Sequence, residues 1–193
     1  MPEIYIIGGC NGSGKTTLAL NVFPNLADDS KNKIEFVNAD IIAAELSPNN
    51  PYQVAIQASR IMLQRLKTLA LERVDFAFET TLAARSFAPF LRQCQAQGYQ
   101  VNLIYVWLNS IELAINRVAL RVASGGHNIP EDVIRRRYTR GRTNFLELYS
   151  ELANRWQVYD NSGENKLIAF SSDRNQAITI IQTDIWQRII NYE

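Results

Sequence analysis

The sequence predicts an α/β fold, a largely parallel sheet covered by helices on both faces, and three observations carry that expectation. A β-branched run, EIYIIGG, leads through a glycine-rich loop into the helix-forming GKTTLALNVF. Further apolar runs of strand length then alternate with stretches whose apolar residues recur at spacings of three and four, the pattern of strands joined by crossover helices. The 193 residues are 47% hydrophobic and 20% charged, which excludes a disordered or fibrous chain and suits one domain spanning 1–193.

The elements follow in order. The first helix is expected to stop at Pro24, and a polar segment with Asp28, Asp29 and Ser30 follows. IEFVNAD is a second strand, placing the Asp40 carboxylate at a strand's carboxyl end. Ala55, Ala58, Met62, Leu66 and Leu69 form the apolar stripe of one long helix between Pro51 and Arg73. FAFETT is a third strand, residues 85–97 are a helix stopped by Gly98, and YQVNLIYVWL is a fourth, continuously apolar strand. Ser110 caps a helix marked by Ile111, Ile115, Val118 and Val122, which Gly125 and Gly126 break. A further helix starts near Glu131. VYDNS and KLIAFSS are short strands joined by a glycine-containing turn, and a terminal helix is expected from about Arg174. In such sheets ligands bind beyond the carboxyl ends of the strands, where the loop at 9–16, Asp40 and Glu79 all fall.

Composition narrows the partners. A net charge of +1, without interleaved aromatic platforms, argues against nucleic acid as a ligand. No apolar run reaches membrane-spanning length, and MPEIYIIGG lacks the length and positive flank of a targeting segment. Two cysteines, Cys10 and Cys94, cannot build a disulfide framework, so a reducing cytoplasm is the expected compartment.

The loop carries the chemistry. Gly9, Cys10, Asn11, Gly12, Ser13, Gly14, Lys15 and Thr16 satisfy the pattern G-x-x-x-x-G-K-[ST] in full, with Thr17 next in the helix. Glycines permit the backbone turns that aim successive N–H groups inward as an anion nest, and the helix adds its positive end. Lys15 is expected to reach the β and γ phosphates of a nucleotide, and the Thr16 hydroxyl to bind Mg²⁺. The strand before and the helix after the loop make this a P-loop NTPase fold.

Three fates of the γ-phosphate compete. A GTPase switch calls for N-K-x-D, which is absent. A motor ATPase calls for four apolar residues ending in Asp, whereas LIYVWL leads to Asn109. A kinase needs a group beside the acceptor hydroxyl and positive charge over the transferring phosphoryl. Asp40 suits the first requirement, its other reading being the N-cap of IIAAEL. Glu79 reads either as a ligand for acceptor groups or water-bound Mg²⁺, or as a buried partner of Arg85. Seven of the fifteen arginines (117, 121, 135, 136, 137, 140, 142) fall within 26 residues. Their bland reading is a solvated helix face. The i,i+4 pairs Arg117/Arg121 and Arg136/Arg140, flanking a glycine hinge, read instead as an arginine-rich helical lid over about 121–140. His127 lies in that loop as a surface residue or phosphate contact.

Taken together, GGCNGSGKTT, FVNAD, FETTLAAR, RVASGGHNIPEDVIRRRY and YDNSG resemble the zeta-toxin family of P-loop small-molecule kinases, whose best-known activity is ATP-dependent phosphorylation of UDP-N-acetylglucosamine. The resemblance implies that Lys15 and Thr16 serve ATP and Mg²⁺, and that Asp40 is the base orienting the acceptor hydroxyl. It implies that Glu79, Thr80, Thr81, Arg85 and His127 line the acceptor site, and that Arg121 and Arg136 contact phosphate. Asp160, Asn161 and Ser162 fall where related kinases hold the adenine edge. The family's lid often has an arginine where this chain has His127. The expected function is transfer of the γ-phosphoryl to a small-molecule hydroxyl, with an antitoxin protein as an implied partner. A nucleoside or antibiotic acceptor, or a nucleotide-binding module without transfer, is the alternative.

Overall fold

A computed structural model describes residues 1–22, 34–126, 128–174 and 176–191. The expectations for Pro24, Asp28, Asp29, Ser30 and His127 lie outside these residues. The elements run β1 (Glu3–Gly9), α1 (Lys15–Val22), β2 (Glu35–Asn38), α2 (Ala39–Leu46), a 3₁₀ turn (Pro51–Val54), α3 (Ala55–Glu72), β3 (Phe76–Thr80), α4 (Phe87–Ala96) and β4 (Gln100–Trp107). Then come α5 (Ile111–Ala123), α6 (Glu131–Asn144), a π turn (Phe145–Tyr149), α7 (Ser150–Leu152), β5 (Arg155–Asp160), β6 (Lys166–Ser171), β7 (Thr179–Ile180) and α8 (Thr183–Ile190).

The strands form one seven-stranded sheet in the order β2-β3-β1-β4-β5-β6-β7. The pairs among β2, β3, β1, β4 and β5 are parallel, and the β5–β6 and β6–β7 pairs are antiparallel. The mainly parallel sheet predicted from the alternation is therefore present. The period of two decides which face each residue covers. Ile4 and Ile6, Phe76 and Phe78, Val101 and Leu103 point toward α3, α4 and α8, in a core that also holds Met62, Leu66, Leu91 and Trp186. Ile7, Ala77, Ile104 and Val106 point the other way, against Leu18 and Ala19 of α1. Both faces being buried is the reason these strands read as continuous apolar runs.

Among the boundaries that differ from the sequence reading, β5 begins at Arg155, ahead of VYDNS, and two others have clear causes or consequences. The terminal helix starts at Thr183 rather than near Arg174, because the β-branched residues around Thr179 and Ile180 first add a short edge strand to β6. β2 ends at Asn38, and Asp40 sits in the first turn of α2 instead of on the strand.

β1 is central, with β3 on one side and β4 on the other. The chain passes from β1 to the β2 edge, returns to β3, and then crosses to β4. The switch point of this sheet thus lies at the carboxyl end of β1, where the glycine loop begins. Among the described residues, no helix is long and apolar enough to cross a membrane.

Candidate functional site

The loop between β1 and α1 has the predicted backbone. Gly12 and Gly14 adopt φ of 78° and 82°, the left-handed region that side chains avoid. A Cβ on Gly12 would lie 2.7 Å from the Ala114 carbonyl, and one on Gly14 would lie 2.4 Å from Asn161 Nδ2. The left-handed backbone therefore favours glycine at both places, and at Gly12 the backbone of Ala114 leaves no room for a side chain. The Lys15 ammonium donates to the Cys10 carbonyl at 2.8 Å, which folds the side chain back across the loop. Thr16 and Thr17 open the helix on its exposed side, whereas Cys10, Asn11 and Ser13 are buried. Burial pushes the Cys10 thiol up to about 11, leaving it an inert packing group.

Asn161, which follows β5, braces the loop. Asn161 Nδ2 donates to the Ser13 carbonyl at 2.8 Å. Ser162 donates through its backbone N–H to Asp160 at 2.8 Å, and its carbonyl accepts from Arg117 at 3.2 Å. Of the three residues implied to hold an adenine edge, Asn161 is thus brought against the loop, while Asp160 and Ser162 bond to each other, and Ser162 to Asn109 and Arg117.

On the other side of β1, the parallel register sets Ile7 opposite Glu79. The Glu79 carboxylate accepts from Thr16 Oγ1 at 2.7 Å and from Asn38 Nδ2 at 3.1 Å, and lies 3.5 Å from Lys15 Nζ. Its partners are therefore the phosphate loop and Asn38, not Arg85, because β3 is the direct neighbour of β1. Arg85 is exposed and outside the cavity lining.

Asn38 is a residue that sequence reasoning passed over. It is 8% exposed, and its amide works in both directions. Its Oδ1 accepts from the Asp40 backbone N–H at 2.7 Å as the N-cap of α2, while its Nδ2 holds Glu79. The cap of IIAAEL is hence Asn38, leaving the Asp40 side chain available to the cleft. Asn38→Asp keeps the cap but replaces the donor by a second carboxylate beside Glu79. The variant is expected to be about 1–3 kcal/mol less stable than wild type near neutral pH in denaturant titrations. Repulsion raises the folded-state carboxyl pKa, so this deficit should shrink as pH falls through the carboxylate range.

A cavity of about 310 Å³ opens beside Lys15. Asp40 and Glu79 line it together with Thr80 and Thr81, and Tyr52, Met62 and Phe87 supply apolar surface. Arg136, Arg137 and Arg140 of α6 complete it. Arg137 is the arginine that the spacing argument did not single out. It is half-buried, donates to Asn11 Oδ1 at 3.2 Å, and has its pKa lowered by burial, with the Asp40 charge acting in the opposite sense. Arg121 is exposed, packs over Gly126, and is not part of the lining.

α6 is anchored along its length. Tyr138 donates to the Leu108 carbonyl at 2.6 Å, and Asn144 donates to the Leu82 carbonyl at 2.8 Å. A Cβ on Gly141 would sit 2.4 Å from the Thr81 carbonyl, so the helix lies directly against the loop after β3. The helix that carries Arg136, Arg137 and Arg140 is therefore seated on the core at Tyr138, Gly141 and Asn144.

Comparison with known proteins bears on the family and the fold. The family model described as Zeta toxin matches residues 1–173. An uncharacterized protein of Haemophilus influenzae is 32% identical over 130 residues, covering 67% of this chain and 88% of that protein. The crystal structure of AvrRxo1-ORF1:AvrRxo1-ORF2 with sulphate ions has a TM-score of 0.80 at 15% identity, covering 98% of this chain and 63% of that one. The same pair with ATP gives 0.79 at 16% identity, with coverage of 98% and again 63%. The PezAT chromosomal toxin-antitoxin system of Streptococcus pneumoniae gives 0.63 at 18% identity, covering 100% of this chain and 79% of that one. This chain thus spans under two thirds of the AvrRxo1 chain it resembles, and at such identities the structural likeness speaks for the P-loop kinase fold. With the family model covering nearly its whole length, the chain belongs to the zeta-toxin family.

Proposed function

We propose that this protein is an ATP- and Mg²⁺-dependent kinase that transfers the γ-phosphoryl group to a hydroxyl of a small molecule, with a UDP-amino sugar as the acceptor class. One observation carries the reading: the cavity beside Lys15 brings a carboxylate, Asp40, and three arginines to the same side of the phosphate loop. A volume of about 310 Å³ is in the range of small-molecule sites.

The residues fit the nucleotide. Gly12 and Gly14 turn backbone donors inward, Lys15 lies over the loop, and Thr16 offers a hydroxyl to the cation. ATP supplies the phosphoryl group and ADP is its leaving group; this chain's work is positioning and charge. Asp40 orients the acceptor hydroxyl and takes its proton late in the transfer, so modest basicity suffices. Lys15 offsets charge on the donor side, and Arg136, Arg137 and Arg140 offset it on the acceptor side. Thr80 and Thr81 are placed to hydrogen-bond acceptor groups, while Asp160, Asn161 and Ser162 border the adenine end. Two unpaired cysteines and the need for ATP suit the cytoplasm. An antitoxin partner is part of the proposal, since PezAT is a toxin-antitoxin system.

The test is incubation with labelled ATP and either UDP-N-acetylglucosamine or a metabolite extract, followed by identification of the labelled product. Label in a small-molecule phosphomonoester is the expected result. ATP binding without transfer to any acceptor would reject the kinase and leave a binding module.

A further inference from the structure

α8 (Thr183–Ile190) lies beyond residue 173, where the match to the family model ends. Two contacts nevertheless tie it to α6, the helix that carries the cavity arginines. The first is Arg142, a guanidinium only 9% exposed, which donates through Nη1 to the Ile189 carbonyl. The last carbonyls of a helix lack partners within it and form its negative end, so a cation there is favourable. A charge buried this deeply is costly unless it is so engaged. The second contact is a chain of rings. Trp186 of α8 stacks on Trp156 at 5.8 Å, and Trp156 packs at right angles to Phe145, which directly follows α6, at 5.7 Å.

These contacts reach the cavity through helix geometry. Arg142 follows Arg137 by five residues, so the two side chains project about 140° apart around α6. One turns into the core toward α8, and the other lines the cavity and donates to Asn11 Oδ1 at 3.2 Å. That bond is at the long end of the usual range. A shift of α6 by about 1 Å therefore breaks it, and a misplacement of that size can cost about 10²-fold in rate even when it begins far from the chemistry. Tyr138 and Asn144 hold α6 to the loops after β4 and β3. Arg142 and Phe145 add the hold from α8.

We infer that Arg142 is a positioning residue of the transfer site: it caps the carboxyl end of α8, and that cap sets where α6 presents Arg137. An element outside the family-matched span thus governs an arginine that touches the phosphate loop. This rests on the kinase reading above and adds to it a residue that acts without meeting substrate.

The test is single-turnover transfer from labelled ATP to UDP-N-acetylglucosamine, or to whichever metabolite of an extract wild type labels. Calorimetric ATP binding and amide hydrogen exchange are measured on the same proteins. Arg142→Met keeps the bulk and loses the cap, so transfer should fall about 10²-fold while ATP affinity stays within about threefold of wild type. Exchange over residues 135–140 should rise about tenfold, with α3 unchanged. Arg142→Lys returns a charged donor to the carbonyl and should bring transfer back to within about tenfold of wild type. In an Arg137→Ala background, Arg142→Met should cost less than about threefold more, because the group through which it acts is gone. Full multiplication of the two losses, or a methionine variant with wild-type transfer and exchange, would overturn the inference. Trp186→Phe loosens the same seat from the α8 side and decides the matter if the methionine variant does not fold. It should lower transfer about fivefold, and a normal rate there counts equally against the inference. Wild-type protein that transfers to no acceptor rejects the kinase reading, and exchange in α6 then decides the seating by itself.

Discussion

Asp40→Asn is expected to lower phosphoryl transfer by about 10² to 10⁴-fold, or roughly 3–5 kcal/mol of barrier, while ATP affinity stays within about threefold of wild type. The substitution preserves size and the α2 cap, because the cap is Asn38 accepting from the Asp40 backbone N–H. It removes the acceptor for the hydroxyl proton. Turnover should therefore fall at saturating substrate, and the acceptor KM should change little. Single-turnover transfer with labelled ATP measures the first quantity, and calorimetric ATP binding the second. Normal turnover in this variant would remove Asp40 from the chemistry and return the site to nucleotide binding.

Arg137→Ala should cost about 10³-fold in transfer, roughly 4 kcal/mol, a larger loss than either Arg121→Ala or Arg136→Ala. Arg137 alone among these is half-buried and tied to Asn11 of the phosphate loop, and it lines the same cavity as Asp40. In the proposed reaction, a guanidinium held by the phosphate loop and facing the cavity is placed to offset charge on the phosphoryl during transfer. Arg137→Lys should recover little, since a point charge does not reproduce the planar fork that reaches Asn11 while facing the cavity. If Arg121→Ala proves the more damaging variant, the exposed end of α5 must enter the site during the reaction, contrary to the placement seen here.

These expectations differ from the sequence reading in instructive ways. Local chemistry was legible: the glycine loop, the strand before it and the helix after it depend on neighbours in the chain, and the structure reproduces them. The four-residue arginine spacing was also correct as a helical pattern. It could not tell Arg136 from Arg137, because the side of α6 that meets the cavity depends on how Gly141 and Asn144 seat the helix on the loop after β3. Glu79 illustrates the same limit. FAFE was visible as a strand ending in an acid, yet its nearest basic neighbour in the chain, Arg85, is not its partner. Asn38 left no distinct signal, since an asparagine before a helix reads as an ordinary cap until its second hydrogen bond is seen.

The sequence by itself determined the class of fold, the phosphate loop and the short set of acids and arginines from which a site is made. Periodicity and glycine placement encode local backbone geometry, and local geometry is what a linear chain specifies directly. Only the tertiary structure decided which of those groups meet. The order β2-β3-β1-β4 sets Glu79 beside Lys15 and Thr16, and the close seating of α6 brings Arg137 to Asn11 in a cavity that Asp40 also lines. Residues far apart in the chain become neighbours through strand order and helix packing, which follow from burying both faces of the sheet at once.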